Sequence, residues 1–252
     1  MSFQQLLTAE VFSLFLVFCR VGSCFMLLPA FGSPFVNPWV RLGLALAISL
    51  VMVPIVPGIP PVPDSAPLLA AYVVTEMAIG LMIGSVAKII SASLHVAGTI
   101  ISMQASLAQA SMFDPNQASQ STVFGTFLDM MALALMFALN IHHVIIMAVL
   151  ESYNVFAPVS GIPIADFSSL ITKTVSKSFM IGFQLSVPLI VIGVLINLAS
   201  GLLARLMPSF QVFFVIMPAQ ILVALFIFMT TLSAGMMWYM EVFSDSMSNL
   251  FK

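Results

Sequence analysis

The stretch MIGFQLSVPLIVIGVLINLASGLL, Met180 to Leu203, holds no charged residue. A bilayer-spanning helix needs roughly 20 apolar residues, and a helix satisfies its own backbone in lipid. Outward from it, the same texture continues in both directions. Ruled off against that length of roughly 20 residues, the chain divides into about six apolar segments: Val11 to Leu28, Val40 to Val56, Leu68 to Ala110, Val123 to Tyr153, Phe167 to Leu206 and Val212 to Phe243. Turn chemistry separates them, at Pro29, Pro34 and Pro38, at Pro54 through Pro67, at Asp114-Pro115-Asn116, at Pro158, Gly161 and Pro163, and at Met207-Pro208. The second segment is short for a span and the third, fourth and fifth are long, so the segments are not plain upright rods.

Composition agrees. Hydrophobic residues make up 61% of the 252 and charged ones 6%, where soluble domains hold about a quarter charged. The mean hydropathy is +1.17. Apolar segments follow each other too closely for a domain-separating linker, which predicts one continuous all-α, polytopic body of the membrane class. A net charge of −2 with no Lys/Arg cluster excludes nucleic acid as a partner. Met1-Ser2-Phe3-Gln4-Gln5 lacks the positive region of a cleaved signal peptide, so the first apolar run is expected to stay. Arg41 and Arg205 suggest that the first and fifth connections face the cytoplasm, and Asp64 that the second faces out.

Polar groups inside apolar segments carry the functional information. Arg20 sits mid-way along the first segment, where an arginine costs roughly 2.5 to 3.5 kcal/mol unless paired or wetted. Its place must be protein, either as an ion pair or carbonyl cap joining helices or in a transport role. Arg41, at the head of the second segment, suits an interface. Glu76, Gly80, Gly84 and Lys88 recur every four residues, so they share a helical face on which Gly80 and Gly84 admit another helix closely. Glu76 and Lys88 are too far apart along the helix to pair, so their partners must come from elsewhere.

Farther along, Ser91, His95, Thr99, Ser102, Ser106 and Gln109 form a polar stripe. It reads as an interhelical hydrogen-bond seam or as the wall of an aqueous conduit. Asp129, Asn140 and His143 repeat the pattern on one face of the fourth segment, and two facing stripes would make a conduit. Asp129, His142, His143 and His95 are candidates for a proton relay by residue type, though they are scattered and no pair has the spacing that favours one. His142-His143 lacks a third metal ligand at helical spacing. Cys19 and Cys24 match neither a redox pair nor a disulfide framework and read as packing residues. No catalytic or cofactor-binding pattern occurs, whether P-loop, HExxH or GxSxG. Lys173 and Lys177 read as interface anchors. Pro188 and Pro218 read as breaks in the fifth and sixth segments that could share a bend.

Taken in order, these residues resemble the FliR family of flagellar type III export proteins, whose injectisome relatives are called SctT or SpaR. Arg20 with Pro29 and Phe31, then Arg41-Leu42-Gly43-Leu44-Ala45-Leu46, are similar to the family's opening. Glu76, Gly80 and Gly84 follow, then Gln104, Phe113-Asp114-Pro115, Asn140 and His142, and finally Pro188, Arg205, Pro208 and Pro218. The chain departs from the family at Gln104-Ala105-Ser106, where a Gln-x-Gly is usual, and at Gln211-Val212-Phe213, where Asn is usual. The resemblance implies a non-enzymatic subunit, without cofactor or metal, of a helical multi-subunit gate in the inner membrane at the flagellar basal body. FliP-like and FliQ-like subunits would complete the gate, FlhB-like and FlhA-like proteins would adjoin it, and unfolded flagellar proteins would pass through.

It further implies a FliP-like region over residues 1–165 and a FliQ-like helical hairpin over residues 166–252. A plug-like loop would run over residues 106–120, with Met112 and Phe113 as an apolar seal and Asp114 and Pro115 ending the helix beyond Gln104. Arg20, Arg41, Glu76, Gly80, Gly84, Lys88 and Arg205 would serve helix or subunit contacts. A solute transporter built on broken helices is the rival from another class, and the equivalent injectisome subunit the rival within the family.

Overall fold

The computed structural model describes residues 3–29, 31–32, 36–63, 65–107, 123–158, 164–207 and 212–251. Among the described residues the chain is all helical, with seven helices: α1 (Phe3–Leu27), α2 (Pro38–Met52), α3 (Ala66–Gln104), α4 (Val123–Ala138), α5 (Ile141–Val155), α6 (Ile164–Leu206) and α7 (Val212–Ser248). The start of α2 is set locally. The Asn37 side chain accepts from the Trp39 amide at 3.0 Å, and Pro38 enters where its missing N–H costs nothing.

The apolar segment from Val123 to Tyr153 is two helices, not one. It breaks at Leu139-Asn140, and α4 and α5 meet at 76°. Asn140 takes a left-handed conformation, φ 58°, ψ 22°, which ends α4 and redirects the chain. Asp129, Asn140 and His143 therefore do not share one helical face. Pro188 and Pro218 end nothing, since α6 and α7 continue through them. Each proline removes one backbone donor, a loss that a long helix packed on its neighbours absorbs.

Among the described residues four stretches are long and apolar enough to cross a bilayer: Glu10–Leu27, Ala66–Gln104, Phe167–Leu206 and Ile216–Ser248. The bent α4–α5 pair passes the same test as one unit, whereas α2 is an apolar helix of 15 residues. Helix α3 with 39 residues and α6 with 43 far exceed what a bilayer requires.

The chain gathers into two compact units. The first holds Met1–Ile90, Phe137–Val175 and Phe243–Lys252, and the second holds Ser91–Met136 and Ser176–Val242. In the first, α1 packs on α2. Its core is built from Val17, Val21 and Phe25 of α1, Ile79, Ile83 and Ile90 of α3, and Ile145 and Val149 of α5. These positions recur at steps of four and seven, the inward stripes of helices. The core of the second is Leu94 and Ile101 of α3, Phe124 and Leu128 of α4, Ile181 of α6, and Phe228 and Met236 of α7. There Gly98 and Gly125 bring α3 and α4 so close that a Cβ on Gly98 would collide with the Gly125 backbone.

Candidate functional site

Arg20 is wholly buried, and Glu76 is 1% exposed. The Arg20 Nε donates to Glu76 Oε2 at 2.6 Å and Nη2 donates to Oε1 at 3.0 Å, a two-pronged match of planar guanidinium to planar carboxylate. The remaining donors turn to α5 and its exit. Nη1 donates to Ser152 Oγ at 3.0 Å and Nη2 to the Phe156 carbonyl at 3.2 Å. The guanidinium carbon stands 3.7 Å from the Tyr153 ring centroid. Ser152 can accept because its own proton goes to the Val149 carbonyl at 2.6 Å. One side chain of α1 thus ties α3, by charge, to the C-terminal end of α5, where helix carbonyls lack intrahelical donors and a cation is favoured.

Close approach of α1 and α3 makes this possible. A Cβ on Gly80 would strike Ser23 Oγ and the Arg20 carbonyl, and one on Gly84 would lie 2.7 Å from the Cys24 carbonyl. Ser23 in turn donates to the Arg20 carbonyl at 3.0 Å. The two glycines receive the α1 backbone, and Glu76, one turn earlier, then reaches Arg20. With its charge paired and its donors satisfied, Arg20 is a fastening of three helices. Nothing in this geometry exposes it to a transported solute.

A second contact between titratable side chains lies in the other unit, where sequence spacing suggested none. His95 Nδ1 of α3 is 3.0 Å from Asp129 Oδ2 of α4, with side chains 47% and 42% exposed. The long sequence separation hides the relation; only the shared presence of His and Asp in apolar segments hinted at it. The α3 stripe is split. Ser102 is buried and donates to the Gly98 carbonyl at 2.8 Å, while His95 is exposed and Thr99 half-buried, its hydroxyl donating to the His95 carbonyl at 2.9 Å.

Gln104, at the end of α3, is gripped from two sides. Its side chain seats on Gly193 of α6, where a Cβ would meet Gln104 Oε1, and its carbonyl accepts from Gln220 Nε2 of α7 at 2.7 Å. Gln220 thereby satisfies one of the carbonyls left open at the end of α3. Met112, Phe113, Asp114 and Pro115 lie outside the described residues, as do Asp64 and Pro208. Lys88, Lys173, Lys177 and Arg205 are exposed and Arg41 is half-buried; Arg205 occupies the last turn of α6, where the helix dipole favours a cation. Cys24 is buried and Cys19 half-buried, both as free thiols. Among the described residues no three of His, Cys, Asp and Glu are grouped to hold a metal.

Long apolar helices, glycine-mediated helix contacts and a buried interhelical ion pair define a polytopic helical protein of the membrane class. The profile of the family "Bacterial export proteins, family 1" matches residues 11–246. Relatives named flagellar biosynthetic protein FliR include one from Caulobacter vibrioides, 39% identical over 91% of this chain and 92% of its own length. One from Bacillus subtilis is 30% identical over 93% of each chain, and one from Escherichia coli 29% identical over 74% of this chain and 71% of its own. The chain belongs to the bacterial export proteins, family 1, and within them to the FliR family.

Proposed function

We propose that this chain is the FliR-type subunit of a flagellar protein export apparatus. In the inner membrane at the basal body, it joins FliP-like and FliQ-like subunits to form the channel through which unfolded flagellar proteins leave the cytoplasm. FlhB-like and FlhA-like proteins are its neighbours, and its role is to build a passage, not to catalyse a reaction. The observation that carries this reading is the 39% identity to a FliR protein across nearly the full length of both chains. Exposed apolar surface on α6 and α7, including Phe179, Phe183, Leu198, Leu222 and Phe226, supports it, since such surface suits lipid or other helical subunits.

Residues 1–165 form the FliP-like region and residues 166–252 the FliQ-like hairpin in this reading. Its support is that Leu185 of α6 lies against Gly235 of α7, at 3.4 Å from a Cβ placed there, as two helices running back along each other require. Residues 106–120 act as the plug, with Met112 and Phe113 closing the passage by excluding water. The clamp on Gln104 supports this by fixing the point from which that segment departs. Changing Met112 and Phe113 together to glycine is expected to raise ion conductance of reconstituted gates, and unchanged conductance would refute the plug assignment.

The assembly is tested by isolating tagged chain in mild detergent and identifying what accompanies it. Stable recovery with FliP-like and FliQ-like subunits is expected. A chain recovered by itself with a bound small solute would overturn the gate reading in favour of a transporter.

A further inference from the structure

We propose that the face of α3 and α4 around His95 and Asp129 borders water in the assembled protein, forming part of the wall of a hydrated passage. The Arg20–Glu76 and His95–Asp129 contacts are handled in opposite ways. Arg20 and Glu76 are 0% and 1% exposed, with each prong of the guanidinium matched inside the fold. His95 and Asp129 are 47% and 42% exposed, on α3, which is long and apolar enough to cross a membrane, and on α4, which meets that test together with α5.

The pairing engages only one atom of each group. Nδ1 of His95 faces Oδ2 of Asp129, and among the described residues neither Nε2 of His95 nor Oδ1 of Asp129 has a hydrogen-bond partner. An imidazole nitrogen and a carboxylate oxygen left over in this way need water or a polar group, and lipid supplies neither. The surroundings of the pair leave it open. Ala92, one turn before His95 on α3, is exposed, and its single methyl is too short to cover the imidazole. Thr99, one turn after, is half-buried, with its hydroxyl donating to the His95 carbonyl. On α4, Thr126 is exposed one turn before Asp129, a further polar side chain beside the carboxylate. Gly98 and Gly125 hold α3 and α4 in near backbone contact next to the pair, so the polar groups of both helices belong to one continuous surface.

This deepens the export-channel reading and rests on it for the purpose of the water, not for its presence. The test therefore reads hydration and export separately. Ala92→Cys, His95→Cys, Thr99→Cys and Thr126→Cys are made in the full chain, with Leu198→Cys and Leu222→Cys as comparisons at exposed apolar positions of α6 and α7. The parent chain, with Cys19 half-buried and Cys24 buried, sets the background. Membrane vesicles bearing the assembled apparatus are treated with a membrane-impermeant cationic methanethiosulfonate, which needs an ionised thiol in water. Each variant is also scored for flagellar protein secretion.

Labelling at positions 92, 95, 99 and 126 roughly tenfold or more faster than at 198 and 222 is expected, because only a hydrated thiol ionises readily. Labelling of all four at the background rate, in variants that still secrete, would overturn the proposal by showing the face covered. So would labelling seen in the isolated chain and lost in the assembled apparatus, which would mark the face as a subunit contact. Fast labelling in a cell whose secretion does not depend on this chain would uphold the hydrated face and refute the export reading.

Discussion

Arg20 fastens three helices with one side chain, and the penalty of leaving either charge without the other sets its weight. Removing one member of a buried pair costs about 3 to 5 kcal/mol, while replacing both by apolar groups of similar size is often neutral. Arg20→Met and Glu76→Leu are each expected to lower the thermal stability of the detergent-solubilised protein sharply, and the double variant to recover most of the loss. A thermodynamic cycle of unfolding measurements checks this; losses that simply add would show that the pair is not coupled. The sequence showed that Arg20 needed a protein partner, because a lone charge in an apolar helix has few alternatives. It did not show which, since 56 residues separate Arg20 from Glu76 and only the crossing of α1 over Gly80 and Gly84 brings them together. His95 and Asp129 were illegible as a pair for the same reason.

At the scale of elements, apolar length located the long helices well, and boundaries moved by a few residues at the ends. The exception is the break between α4 and α5. Leu139-Asn140 carries neither proline nor glycine, and apolar residues continue on both sides, so hydropathy reads straight through a bend of 76°. Asn140 is the element that makes the bend tolerable, because its short side chain accepts the left-handed region at φ 58°. Asn140→Gly is expected to leave stability within about 0.5 kcal/mol of the parent, and Asn140→Val to cost about 1 to 2 kcal/mol, as a β-branched residue there is strained. Thermal unfolding of the two variants in detergent provides the check, and equal stability would mean that Asn140 does not set the bend. Pro188 and Pro218 misled in the opposite sense, as strong break signals inside helices that persist.

Across the whole molecule, apolar length exceeds what lipid can cover. The uncharged run of α6 between Lys177 and Arg205 spans roughly 40 Å at 1.5 Å per residue, against a hydrocarbon core of about 30 Å. Only 28% of its most apolar window is buried within the chain, and only 17% of that of α7. So much apolar surface left open by the chain accords with a subunit that works inside a larger export assembly. Deleting the gene for this chain from its bacterium and measuring flagellar subunits in the culture medium tests that role. The account predicts that they stay in the cell and return to the medium on complementation with the parent gene; secretion that continues undiminished without the chain would contradict it.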